Sequence, residues 1–200
     1  MKEIMIVRHA RSLFNVGDTK HLDAGLTDYG HKQAIMAGEF LKEEFGTDHW
    51  DIIITSPFDR CLKTSKGLGD NLECKISVDA RLGEKTIDYH DLKSLVVPKR
   101  DDIFPEVDWS NYKDTDFAHE RMDAYLGRLQ SIWNFVSESD HEHVILVTHG
   151  SPAASFIDMH VNNNYNSIPL WDHSVNNCSM TWIKGKNMIW RTRELFWERG

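Results

Sequence analysis

Two stretches of this chain, Asp51-Ile52-Ile53-Ile54-Thr55 and His143-Val144-Ile145-Leu146-Val147-Thr148, are apolar through their middles with no alternation. A strand of that kind must be covered on both faces, as in a parallel sheet packed between helices. Glu3–Val7 and Lys75–Val78 repeat the pattern in shorter form. Parallel strands need crossover connections of a dozen or more residues. The stretches between these runs have that length and carry helical spacing, so the expectation is an α/β layered fold.

Thr27 can cap a helix that runs through Ala34, Ala37, Phe40 and Leu41 and ends at Gly46. Ser56 and Pro57 read as the cap and first turn of a second helix. Tyr125, Leu126, Leu129, Ile132, Trp133 and Val136 recur at helical spacing, so a long helix is expected from Asp116 to Glu138. A shorter one is expected from Ser151 to His160. Ser179–Ile183 and Met188–Thr192 flank Lys184-Gly185-Lys186-Asn187 and read as an antiparallel hairpin at the sheet edge. Residues 83–114 carry mixed charge, prolines and no clear period. They read as an excursion over the sheet edge, partly helical at Asp91–Val97. No repeat or boundary interrupts the pattern, so residues 1–200 are expected to form one domain.

Lys and Arg number 23 against 31 Asp and Glu, giving a net charge of −8. That acidic balance argues against a general nucleic-acid or membrane-surface binder, which needs a broad basic field. It leaves room for a small anion held by a local arginine cluster. No apolar run approaches the roughly 18 residues of a membrane span. The run Ile4–Val7 is also shorter than the roughly 7–15 residues of a signal peptide core. Cys61, Cys74 and Cys178 are odd in number and lack CxxC spacing, so reduced thiols and a cytoplasmic location are expected.

Basic residues sit at three strand ends. The first strand ends in Arg8-His9, the second runs into a helix holding Arg60, and the fourth ends in His149-Gly150. Ligands of open α/β sheets bind beyond the carboxyl ends of the strands. Two arginines and two histidines would therefore converge on one crevice suited to a phosphate dianion. Arginine's planar fork grips two phosphate oxygens at once. A neutral imidazole can attack phosphorus, and nearby positive charge keeps it unprotonated. The remaining need is a proton donor for the leaving oxygen, a role for a carboxylic acid.

The order of these residues resembles the histidine phosphatase superfamily, the phosphoglycerate-mutase-like proteins. Arg8-His9-Ala10-Arg11-Ser12-Leu13-Phe14-Asn15 resembles the family's opening Arg-His-Gly-x-(Thr/Ser)-x-x-Asn, with Ala10 in place of the glycine. Leu26-Thr27-Asp28-Tyr29-Gly30-His31-Lys32-Gln33-Ala34 matches its Leu-Thr-x-x-Gly-x-x-Gln-Ala helix start. Ser56 to Thr64 matches Ser-x-x-x-Arg-x-x-x-Thr, Leu82-Gly83-Glu84 matches Leu-x-Glu, and Thr148-His149-Gly150 matches the late Thr/Ser-His-Gly. Asn177-Cys178-Ser179-Met180-Thr181 is similar to the final core strand.

The resemblance implies a three-layer α/β/α sandwich with a central, mostly parallel sheet. It implies that His9 attacks the phosphoryl group and becomes phosphohistidine. Arg8, Arg60, His149 and Asn15 would hold the phosphate, and Glu84 would protonate the leaving alcohol. The residues after Glu84 lack the family's usual glycine and tryptophan, so Asp88 and Asp91 stay open as the acid. Ser12, Arg11, His21 and His90 are further substrate candidates. No metal or cofactor is implied, because arginine and histidine supply the positive charge. The implied activity is phosphomonoester hydrolysis of a small phosphorylated substrate, with phosphoglycerate-mutase-type transfer or an inactive phospho-ligand binder as alternatives. A homodimer stays open. His141-Glu142-His143 has the alternation of a metal pair, but no third ligand lies near it in sequence, so a solvated turn is preferred.

Overall fold

Side chains of a strand point alternately to opposite faces, and in Ile4–Val7 and Val144–Val147 every one of them is apolar. In the computed structural model, which describes residues 1–86, 92–118, 120–160, 175–185 and 187–192, these runs form β1 (Glu3–Arg8) and β4 (His143–Thr148). The two are adjacent and parallel, with Glu3 opposite His143 and Arg8 opposite Thr148. β2 (Ile52–Thr55) pairs with β4 and β3 (Ile76–Val78) with β2, both in parallel. β5 (Met180–Lys184) runs antiparallel to β1, and β6 (Asn187–Arg191) antiparallel to β5. The order is β3-β2-β4-β1-β5-β6.

The pleat separates two cores. Met5, Val7, Ile145 and Val147 face α1 (Asp28–Phe45) and α2 (Asp59–Leu72), meeting Ala34, Leu41, Leu62 and Leu68. Ile4, Ile6, Val144 and Leu146 face α3 (Met122–Glu138) and α4 (Gly150–His160), meeting Leu129, Ile132 and Phe156. The result is a three-layer α/β/α sandwich around a mostly parallel sheet. The parallel strands all end on one side, which is where Arg8, His9, Arg60 and His149 are delivered.

Three boundaries differ from expectation. α2 begins at Asp59, and Phe58 rather than Ser56 is its cap residue. The Asp59 amide is instead held at 2.8 Å by the carboxylate of Asp23, a residue far away in sequence. α3 begins at Met122, not Asp116. The Asp116 carboxylate accepts from the Leu95 and Ala118 amides, and Phe117 donates to the Leu95 carbonyl, so 116–118 join the excursion rather than the helix. Residues 92–97 are not helical; Val96 makes a β-bridge to Asp116. Pro98 disfavours helical backbone at the residue before it. Asp91 lies outside the described residues.

The excursion folds back over the body. Phe104, Val107 and Trp109 pack into the α1/α2 core. Val97 and Phe117 join Phe58 and Ala80 in a smaller cluster, with Leu95 packed against it.

Candidate active site

The loop that carries His9 leaves β1 at Arg8 and is gripped from several sides. The Thr27 amide and hydroxyl and the Gln33 amide side chain all bind the Arg11 backbone. A Cβ on Gly30 would overlap the Arg11 carbonyl oxygen. The Thr-x-x-Gly-x-x-Gln spacing is thus a clamp on the residue two places after His9. Thr64 Oγ accepts from the Ala10 amide at 3.0 Å and donates to the Arg60 carbonyl at 2.7 Å, tying α2 to the same loop. Asn177 and the Cys178 amide hold the carbonyls of Arg8 and His9 from the far side. Ala10 is fully buried and lies outside the positive-φ residues, so its Cβ adds no backbone strain.

His9 is buried. Its Nδ1 lies 2.7 Å from the Ala10 carbonyl and Arg60 Nε donates to its Nε2 at 3.1 Å. A carbonyl only accepts and a guanidinium only donates, so the proton sits on Nδ1 and Nε2 keeps its lone pair. Burial, with Arg60 and Arg8 beside it, holds His9 well below the ordinary imidazole pKa.

Arg60 is the hub. Besides His9, it donates to the Leu22 carbonyl and, at 2.9 Å, to His149 Nδ1. His149 is fully buried, 5.3 Å from His9 between ring centres, and its Nε2 meets Ser56 Oγ at 2.8 Å. Nδ1 accepts, so Nε2 carries the proton and Ser56 receives it. Burial and Arg60 push His149 well below the usual range. Ser56 therefore orients this histidine rather than capping α2. Arg8 donates to the Val175 carbonyl, and its buried Nε makes no hydrogen bond among the described residues.

Glu84 lies beside this cluster, with Oε2 4.0 Å from His149 Nδ1. Its loop is pinned by Thr148 Oγ, which donates to the Leu82 carbonyl. Arg128, paired with Glu120, donates to the carbonyls of Arg81, Gly83 and Glu84. Asn15 Oδ1 accepts from Ser12 Oγ, the Ser12 amide and Asn177, which leaves the amide nitrogen of Asn15 to face a ligand.

Arg8, His9, Asn15, Arg60 and Glu84 line a cavity of about 140 Å³ together with Phe14, Leu22, Phe58, Thr86 and Leu95. Of the predicted set, His149 stands behind this wall, against Arg60 and Ser56. Ser12 is buried and acts on Asn15, whereas Arg11 and His21 are exposed and not among the lining residues. His90, Asp88 and Asp91 lie outside the described residues. Sequence reasoning missed Asp23, Arg100 and Arg128. Arg100 reaches from the excursion to Asp23 and to the Pro57 carbonyl, beside Arg60. No local pattern marks these three, because each acts on residues more than 30 positions away.

The profile of the histidine phosphatase superfamily (branch 1) matches residues 4–198. The chain belongs to the histidine phosphatase superfamily. A Hydrogenobacter thermophilus protein with the provisional name phosphoserine phosphatase 2 is 30% identical over 190 residues, 92% of this chain and 89% of its own. Among solved structures, the ecdysone phosphate phosphatase of Bombyx mori, in complex with tungstate, has TM-score 0.72 at 19% identity and covers 94% of this chain and 92% of its own. A mycobacterial glucosyl-3-phosphoglycerate phosphatase, solved with VO3, has TM-score 0.63 at 22% identity over 92% of this chain and 91% of its own. This histidine phosphatase is an enzyme of the phosphatase class, and no helix among the described residues is long and apolar enough to cross a membrane.

Proposed function

We propose that this histidine phosphatase hydrolyses small phosphomonoesters through a phosphohistidine on His9. The observation that carries this is His9 Nε2, left unprotonated by the Nδ1 bond to the Ala10 carbonyl and met by the Arg60 guanidinium, on a cavity wall shared with Arg8. A bound phosphoryl group takes the fork of Arg60 and the Nε of Arg8 as donors, with the Asn15 amide adding a third contact. Arg60 then releases Nε2. Nε2 forms the P–N bond as the P–O bond to the alcohol breaks, and protonated Glu84 gives that alcohol its proton. The Nδ1–H bond to the Ala10 carbonyl steadies the charge that develops on the ring. Glu84, now a carboxylate, takes a proton from water, whose oxygen attacks phosphorus and breaks the P–N bond. His149 holds Arg60 in place before substrate arrives. It donates to a phosphoryl oxygen only after Arg60 leaves Nδ1 and the ring's single proton moves from Nε2 to Nδ1, with the Ser56 hydroxyl then donating to Nε2.

The phosphatase names of relatives support hydrolysis, and two fold neighbours are complexes with the phosphate-like oxyanions tungstate and VO3. Phe14, Leu22 and Leu95 beside the basic cluster fit a compact substrate with an apolar flank.

The test is phosphate release over a panel of phosphorylated metabolites, with His9→Ala as the blank. Brief exposure to labelled substrate should leave an acid-labile, base-stable phosphoenzyme in the native protein and none in His9→Ala. Near-normal turnover by His9→Ala would overturn the mechanism. Isomerisation of 3-phosphoglycerate outpacing phosphate release would assign the enzyme to phosphoryl transfer instead.

A further inference from the structure

At the other end of the sheet, where β1 and β4 begin, a second cluster gathers. Glu3 and His143 are paired neighbours in the parallel ladder. His49, from the connection between α1 and β2, leans over both. Its ring lies 4.3 Å from that of His143, centre to centre. One ligand atom from each of Glu3, His49 and His143 falls within 4.8 Å of the other two. Sequence proximity offers His143 no third ligand; strand pairing and a loop bring two from more than 90 positions away.

We propose that Glu3, His49 and His143 form a site for a divalent transition metal of the zinc type. Glu3 Oε2 and His49 Nε2 are both buried and complete no hydrogen bond among the described residues, although they are 3.3 Å apart. The Glu3 side chain is only 7% exposed, so water does not satisfy that oxygen. Two unsatisfied polar atoms in one buried spot are costly without a shared partner. Ligand atoms around a tetrahedral zinc stand roughly 3.4 Å apart, given Zn–N and Zn–O distances near 2.0–2.1 Å. The Glu3–His49 edge already has that spacing, and a turn of the half-buried His143 ring closes the third corner. Two imidazoles and one carboxylate suit zinc, cobalt or nickel rather than magnesium or calcium.

The surroundings hold the ligands in place. Lys184 Nζ binds the other Glu3 oxygen at 2.5 Å, which leaves Oε2 as the donor. Asp51 Oδ2 accepts from the Glu142 and His143 amides at 2.6 and 2.9 Å and fixes the start of β4. The rings of Phe45 and Trp50 flank His49 at 5.1 and 4.9 Å. β1 and β4 run from this cluster to the catalytic crevice, so the ion takes no part in phosphoryl transfer.

Cobalt(II) is the probe, because its visible absorption reports low-coordinate nitrogen and oxygen ligands. The full chain, stripped with chelator, is titrated with Co2+ in parallel with His49→Gln, His143→Gln and Glu3→Gln. The native protein should bind one equivalent with intense visible bands that Zn2+ bleaches. His49→Gln and His143→Gln should each lose that equivalent and the bands, with affinity down at least about tenfold, while releasing phosphate at the native rate. Two results would overturn the site. One is the absence of saturable Co2+ binding by the native chain, which would leave a plain His49–Glu3 ion pair. The other is an unchanged spectrum in both histidine variants, which would move the metal to His9 and His149.

Discussion

Two atoms govern the chemistry of single residues here. His9 Nδ1 donates to the Ala10 carbonyl, and that leaves Nε2 with the lone pair the proposed attack on phosphorus uses. Glu84 lines the same cavity, with no other described carboxylate among the lining residues. Glu84→Gln should therefore slow turnover of alkyl phosphates far more than of p-nitrophenyl phosphate, whose leaving group needs no proton. Rates measured across a leaving-group series check this, and equal slowing for every ester would move the acid to another residue. Ala10 offers a sharper test of backbone physics. With no positive φ there, Ala10→Gly gains no relief and adds freedom to the unfolded chain, so it should lower stability by about 0.4–1 kcal/mol in urea unfolding.

At the scale of elements, the Glu84 loop depends on a helix with no residue among those lining the cavity. Arg128 on α3 reaches three carbonyls of one loop, those of Arg81, Gly83 and Glu84, while Glu120 holds its other side. A lysine lacks the fork for this geometry. Arg128→Lys should leave the fold intact but let Glu84 drift. Displacement near 1 Å can cost on the order of a hundredfold in rate. The loss should appear in kcat, grow with leaving-group pKa and spare KM, whereas a merely structural role would leave the leaving-group slope unchanged. Gly83 is part of the same device, since a Cβ there would overlap the Phe117 ring that closes the excursion onto the loop.

Across the whole molecule, burial of titratable groups sets a pH window for stability. Unfolded histidine gains a proton near pH 6.5, but buried His9 and His149 resist it to well below that value. Below about pH 6.5 the unfolded chain thus binds more protons, and stability should fall with pH by up to about 1.4 kcal/mol per unit for each histidine. At the alkaline side, burial pushes the thiols of Cys61 and Cys178 up to about 12 and that of Cys74 to about 11. The unfolded thiols release protons that the folded ones keep, so stability should fall again above roughly pH 8.5–9. Urea midpoints measured from pH 5 to 10 should trace a plateau between these limits; a midpoint that holds steady down to pH 5 would show that the two histidines are not buried neutral. The same burial explains what could be read in advance. The apolar runs of β1, β2 and β4 determine a parallel sheet, because residues without alternation have to be covered twice. The spaced motifs around Arg8, Arg60 and His149 put basic side chains at the ends of those strands. What only the tertiary structure decided are contacts whose partners are distant in the chain: Asp23 at the start of α2, Ser56 on His149, Arg128 under Glu84, and Glu3 with His49 and His143. Local sequence specifies local geometry, but a side chain's distant partner is set by which strands pair and where loops return.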